Sequence, residues 1–330
     1  MKLKIGCHPY DVARPLFDGT VRIAGADAEF SGAALVSDIF EQMMRARAFD
    51  VAELGMSFYL RTLDLDDPPF IAIPVFPNRQ FRHSSIFVNT GSGITGPADL
   101  AGKVVGEFAM YGHDAGVVAK GILSDEYGVR PEESSWVIGG FDWPMAPFEF
   151  VPQIHPDGVA VTRAPEGKAL GPMLEAGEID AMISADVPRC VLDGSPRVAR
   201  LFPDYGPIER KHYRRTGIFP MMHTVVVRRE LAAREPALVE AVYRAFGAAR
   251  DAAMDQYRQR RAFNHMETNV PWFGELFERD LELFPDGLWP YGIAANRPSI
   301  DAFLRWHFEQ GLSKRRLAPE DVFLPELLNT

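Results

Sequence analysis

"RAFDVAELGMS", residues 47–57, and "AGEIDAMISAD", residues 176–186, follow one plan. Each reads as a helix end, a short turn, an aspartate at the mouth of a strand, an apolar strand, then a serine near the strand end. A strand entered from a helix in this way is one step of an α/β layer. The same step twice, far apart in one chain, predicts two similar α/β lobes. Chance similarity over eleven residues is the competing reading.

The text around each copy extends the pattern. "KLKIGCH" (2–8) reads as a first strand, followed by a Pro9-Tyr10 turn. Asp38 with Glu41 is spaced as a capping box and opens a helix carrying Ile39, Phe40, Met43 and Met44. Ahead of the second copy, "GKVVGEF" (102–108) reads as a strand leading into a helix that Asp114 can cap. Val117, Val118, Gly121 and Ile122 share one side of that helix, and Gly128 stands where a left-handed C-terminal residue is wanted. "SWVIGG" (135–140) is a further strand. Beyond "GIFPMMHTVVVRREL" (217–231), Pro236 starts a long amphipathic helix with Leu238, Val239, Val242, Tyr243, Phe246 and Ala249 at helical spacing. The remainder reads as mostly helical, interrupted at "FPDGLWPYG" (284–292).

Composition bounds the function. The 330 residues suffice for about two domains, and 47% hydrophobic with 24% charged residues is ordinary for a globular chain. The net charge of −10, with no basic run, argues against nucleic acid as a partner. An anion site must then be built locally, from arginines and backbone N–H groups. No apolar run reaches the roughly 18 residues of a membrane helix, so no membrane partner is expected. "MKLKIGCHPYDVARP" lacks the apolar core of a signal peptide, and only Cys7 and Cys190 occur. Both features predict a cytoplasmic protein with two free thiols.

Several polar groups stand where chemistry could sit. In "NRQFRHSSIFVN" (78–89), Arg79, Arg82, His83, Ser84 and Ser85 precede a short apolar run. This is either a solvated turn or a site for an anion that also needs a proton. His223, in "PMMHTVVV", is either a satisfied core histidine or a site residue. The helix start in "YGHDAG" (111–116) offers unpaired N–H groups beside Tyr111, His113 and Asp114, or is an ordinary capped start. Tyr10, Asp11 and Arg14 follow the first strand, where α/β folds place ligand loops. Ser57, Phe58 and Tyr59 occupy that place one unit later, and Ser184 and Asp186 in the second copy. Phe58, Tyr59, Phe141 and Trp143 either wall an aromatic ring or pack in the core. The eight histidines are scattered, with no H-x-x-x-H or C-x-x-C spacing, so no metal or other cofactor is expected. Glu53, His83 and His223 are the set that folding could still bring together around an ion. "NTGSGITG" (89–96) lacks the Lys-Ser/Thr ending of a phosphate loop.

Together, "FDVAELGMSFYL", "AIPVFPNRQFRHSSIFVN", "PADLAGKVVGE", "GEIDAMI", "TGIFPMMHTVVVRREL" and "WPYGIAANR" resemble the 4,5-dihydroxyphthalate decarboxylase family, which is similar to the type II periplasmic-binding-protein fold. The resemblance implies an α/β, two-lobed fold with the ligand cleft between the lobes. Residues 1–82 and 222–330 would form one lobe and 83–221 the other. "FRHSS" and "FPMMH" would be the crossings, bringing His83 and His223 to one ligand. The implied activity is decarboxylation of a hydroxylated aromatic dicarboxylate by ring protonation. In that reading His83 delivers the proton and His223 assists. Arg82 and Arg79 clamp carboxylate, and Ser84, Tyr10, Arg14, Ser57, Phe58, Tyr111, His113, Asp114, Trp143 and Ser184 line the site. The partner is a small aromatic carboxylate, and assembly into a homo-oligomer stays open. The alternative is a non-catalytic cytoplasmic binding protein for a small organic anion. The 111–116 loop departs from the family pattern, which leaves the substrate's identity open.

Overall fold

The structure is a computed structural model and describes residues 1–263 and 270–330. The chain first lays down β1 (Lys2–Gly6), β2 (Asp27–Ser31), β3 (Val51–Gly55) and β4 (Phe70–Ile73). It crosses over to form β5 (Ile86–Asn89), β6 (Val104–Phe108), β7 (Ser135–Gly139), β8 (Ala160–Arg163), β9 (Ala181–Ile183) and β10 (Val198–Arg200). It then returns as β11 (His223–Arg228). Two sheets result, in the orders β2-β1-β3-β11-β4 and β10-β5-β9-β6-β7-β8. The two-lobed α/β reading is borne out. Among the described residues no helix is long and apolar enough to cross a membrane.

Strand direction decides where a site can form. β1, β2 and β3 are parallel, as are β9, β6, β7 and β8. The two strands entered by crossing run against their neighbours: His223 of β11 pairs with Gly55 of β3, and Ile86 of β5 with Ile183 of β9. Each therefore starts where parallel strands end. The carboxyl ends of the parallel strands and the starts of both crossing strands meet in one region, the usual place for a ligand in such sheets. The crossings also bond to each other. Gln80 donates its N–H to the Pro220 carbonyl at 3.1 Å, and Met222 donates to that of Asn78 at 2.9 Å.

Some local expectations changed. Asp38 does not cap a helix: the helix Val36–Glu41 starts after Leu35, without a side-chain cap. Asp114 is the first residue of the helix Asp114–Tyr127, whose N-cap is His113. The His113 Nδ1 accepts the Ala115 N–H at 3.4 Å, which leaves the Asp114 carboxylate free for another segment. Val117, Val118 and Ile122 are buried as their spacing predicts, and Gly128 ends the helix at φ 69°. The helix Tyr205–Thr216 was not legible, because the buried face it presents is Glu209 and His212 rather than an apolar stripe. In the helix Pro236–Phe263, Val239, Val242, Phe246 and Ala249 are buried, as expected.

The 114–127 helix lies on a buried ion pair. Lys120 Nζ stands 2.6 Å from Glu107 Oε2, with both side chains 1% exposed. Lys120 also sits over the Tyr111 ring at 3.7 Å and the Trp136 ring at 4.6 Å. Gly116 makes room for this pair, since a Cβ there would stand 1.7 Å from Glu107 Oε1. Replacing Lys120 by Met strands the carboxylate in an apolar site. We expect it to cost about 3–5 kcal/mol in urea unfolding, the usual effect of breaking a buried pair. Adding Glu107→Leu should restore most of that. An unchanged midpoint for Lys120→Met would show that the pair is not coupled to stability.

Candidate active site

Glu53 is the one acidic residue of a wholly buried strand, VAELG, and is 0% exposed. Burying a carboxylate requires donors. Glu53 accepts the His8 N–H at 2.9 Å and the Tyr10 hydroxyl at 2.8 Å. Its Oε1 is 2.6 Å from His223 Nδ1, and the Cys7 thiol points at Oε2 from 3.5 Å. Asn78 Nδ2 in turn donates to the Tyr10 oxygen at 3.3 Å. An ionised carboxylate only accepts, so the His223 proton facing it is on Nδ1. Among the described residues only Nδ1 of this ring has a hydrogen-bond partner, and His223 lines a cavity.

That cavity encloses about 360 Å³, an ordinary size for a small-molecule site. Phe40, Phe108, Phe141, Trp143 and Phe148 supply its walls, and Asn78, Arg82, His113, Asp114, Asp186 and His223 its polar groups. Arg82 is 3% exposed. It donates to the Met222 sulfur at 3.1 Å, to Ser85 Oγ at 3.3 Å and to the Ala185 carbonyl at 3.2 Å. Among the described residues it has no ion pair with a carboxylate, and burial lowers its pKa to about 10. Asp114, Asp186 and Glu209 act on it through space only, so a buried guanidinium with no carboxylate bonded to it can take a ligand anion.

Two titratable groups flank Arg82. Asp114 Oδ1 accepts the Ser57 N–H at 2.6 Å, while its buried Oδ2 has no partner among the described residues. Burial pushes the Asp114 carboxyl up to about 6, against the pull of His223, Arg82 and Arg61. Gly55 permits this approach, because a Cβ there would meet Asp114 Oδ2 at 2.3 Å. Burial, then the charges of Arg82 and His223, lower the His113 imidazole to about 3, so it is neutral at ordinary pH.

The other sequence candidates divide. Trp143 lines the cavity at 45% exposure. Tyr10 supports Glu53 from behind. Phe58 is fully buried and backs the wall, 5.5 Å from the Phe40 ring and 5.9 Å from that of His113. Ser57 is buried and donates its hydroxyl to the Gly112 carbonyl at 2.6 Å. Ser184 is buried and accepts the Asp186 N–H at 3.2 Å, turning Asp186 toward the cleft.

Five expected contacts are not made. His83 does not line the cavity, because His83–Ser85 is a 3-10 turn rather than extended strand. Its ring turns instead toward Phe202 and His212, with centroids at 5.3 and 5.4 Å. The proposed meeting of His83 with Glu53 and His223 therefore does not occur. Arg79 spends its guanidinium on the carbonyls of Pro290 and Phe219, each at 3.0 Å, and on Asn296. Ser84 donates its N–H to Glu209 and faces a neighbouring cavity of about 500 Å³. That larger space adjoins the first across Gln80, Ala185 and Asp186, but Arg79 and Arg200 on its rim are already held by carbonyls. Arg14 is exposed on the short helix Arg14–Phe17. Tyr111 is core, packed on Lys120 and Trp136.

The sequence reading missed Phe40, Asn78, Phe108 and Phe148 as cleft residues. It weighed Glu53 for a metal alone. The available signal was a lone acid in an apolar strand.

No family model matches the chain. It is 36% identical to the 4,5-dihydroxyphthalate decarboxylase of Comamonas testosteroni over 333 residues, spanning 100% of this chain and 98% of that protein. It is also 36% identical to the 4,5-dihydroxyphthalate decarboxylase of Pseudomonas putida over 207 residues, 62% of this chain and 78% of that protein. Among solved structures, the periplasmic sulfonate-binding protein SsuA of Methylobacillus flagellatus aligns with a TM-score of 0.58 at 12% identity, covering 100% of this chain and 93% of that one. The aliphatic sulphonate binding protein SsuA of Escherichia coli gives 0.53 at 12% identity, covering 100% and 99%. These likenesses show the two-lobed fold of periplasmic binding proteins, and the full-length relative shows the family: the chain belongs to the 4,5-dihydroxyphthalate decarboxylases, which are carboxy-lyases.

Proposed function

We propose that this chain removes one carboxyl group from a hydroxylated aromatic dicarboxylate, such as the 4,5-dihydroxyphthalate named for its relatives, in the cavity at Arg82 and His223. The observation that carries the reading is the pairing of an unmatched buried guanidinium with a Glu53-held imidazole inside aromatic walls. The carboxylate that stays binds Arg82 through charge-assisted hydrogen bonds. Phe108, Phe141, Phe148 and Trp143 flank the ring and exclude water from the carboxylate that leaves. His223 Nε2 gives its proton to the ring carbon bearing that carboxylate, assisted by electron release from the hydroxyl para to it. The bond from that carbon to the carboxylate then breaks. Carbon dioxide departs, and the bonding pair restores the aromatic ring. His223 is left neutral, still donating Nδ1–H to Glu53, and regains its proton from water. The proton donor expected at His83 is thus assigned to His223.

His223→Gln should keep substrate binding in calorimetry while single-turnover carbon dioxide release falls by about 10²–10⁴-fold, the usual loss with a general acid. His83→Gln should retain the chemistry. The opposite pattern would return the donor to the first crossing. Tight binding of hydroxylated phthalates and benzoates by the unmodified chain, with no release from any, would make it a binding protein.

Arg82→Ala should weaken dicarboxylate binding by about 2–5 kcal/mol. The same affinity should depend on pH through Asp114. Its carboxyl is protonated below about 6 and ionised above. When ionised it competes for Arg82 and repels a dianion, so affinity should fall as pH rises through that value. Asp114→Asn should flatten this step, and a step of unchanged size in the variant would assign it to another group.

A further inference from the structure

We propose that His83, Glu126 and His212 form a site for a divalent transition ion, Zn²⁺ above all, that clasps the first crossing to the second lobe. The residues come from three elements: the turn His83–Ser85, the last turn of the helix Asp114–Tyr127, and the helix Tyr205–Thr216. One ligand atom from each lies within 4.8 Å of the other two. Small side-chain rotations bring such a set to the spacing of about 3.5 Å that tetrahedral bonds of about 2.0–2.2 Å require.

The burial of these groups points to a ligand. His83 is 1% exposed and His212 3%. Among the described residues neither His83 nitrogen has a hydrogen-bond partner, and neither does His212 Nε2. Three orphaned imidazole nitrogens in one small volume are unusual, since buried polar atoms are nearly always bonded. A metal ion would satisfy nitrogens of both rings at once. Burial lowers the His83 imidazole to about 4, so it is already in the neutral form that binds metal. Two imidazoles and one carboxylate form a borderline donor set that suits zinc and disfavours calcium or magnesium. Glu126 Oε1 now pairs with His212 Nδ1 and, at 2.5 Å, with Arg215, but the Arg215 side chain is 56% exposed and can swing into water as the carboxylate turns to the ion. None of the three ligands lines the substrate cavity, so this site stands apart from the Glu53–His223 pair.

The test uses the full chain, dialysed against chelator. Zn²⁺ is titrated in competition with a chromophoric chelator, Co²⁺ is followed by visible absorption, and thermal unfolding is recorded with and without Zn²⁺. We expect one ion per chain, the intense absorption of four-coordinate Co²⁺, and a Zn²⁺-dependent rise in Tm. His83→Gln removes no hydrogen bond within the protein, so the metal-free fold should persist. It should nonetheless lose the Tm rise and weaken binding by at least about 100-fold, the upper end of the loss when an outer partner of a metal site is removed. Glu126→Gln should do the same, whereas His155→Gln, altering an exposed histidine, should bind as the parent does. Binding by the parent no tighter than by His83→Gln and Glu126→Gln, or a weak six-coordinate Co²⁺ spectrum, would overturn the proposal.

Discussion

A carboxylate in the middle of a fully buried strand organises this protein. Glu53 cannot stay charged in an apolar layer without donors. Its neighbours on β3 supply none of those described, so they arrive from elsewhere in the chain. The end of β1 contributes the His8 N–H and the Tyr10 hydroxyl, and the start of β11 contributes His223. Holding one acid thus joins the first strand, the central strand and the returning strand at the edge of the cleft. The same contacts set the orientation of the imidazole. The packing of three strands and the orientation of a cleft imidazole thus rest on one group.

Topology carries the rest of the site to that point. In each sheet the strand entered by a crossing is antiparallel to its neighbours. Its first residues therefore lie beside the last residues of parallel strands. Arg82 and Ser85 arrive this way in one lobe, and Met222 and His223 in the other. The two crossings are tied by backbone hydrogen bonds, so Arg82 reaches the Met222 sulfur across the junction. The loops after β6, β7 and β9 add His113, Asp114, Phe141, Trp143 and Asp186. A cation, a carboxyl raised by burial and an oriented imidazole then share one cavity with aromatic walls. In such a space each of their charges acts more strongly than it would in solution.

Crowding at the crossing explains why individual side chains were harder to assign than elements. An extended FRHSS segment would alternate its side chains, but the segment turns as a 3-10 helix. Arg82 then enters the aromatic-walled cavity, His83 turns to His212, and Ser84 opens on the adjoining space. The same logic holds at the 114–127 helix. His113 takes the capping bond, and Asp114 reaches Ser57 in the other lobe. Neither choice follows from residue type alone, since aspartate is the commoner cap.

By itself the sequence determined the α/β class, the duplicated strand step, the buried faces of the helices beginning at Asp114 and Pro236, and the family resemblance. These depend on local periodicity, on turn chemistry and on text that neighbouring residues carry together. Arg82, His113, Asp114, Trp143 and His223 were also legible, as polar or amphipathic groups at strand and helix ends. Only the tertiary structure decided which of them meet. Glu53 and His223 are 170 positions apart. Their contact depends on the register of β11 against β3, a property of two strands at once. Arg79 and His83 carried the same local signal as Arg82. Carbonyls from Pro290 and Phe219 took the first, and a turn of three residues rotated the second away from the cleft. No local pattern records which distant backbone will claim a guanidinium, because that is settled by packing.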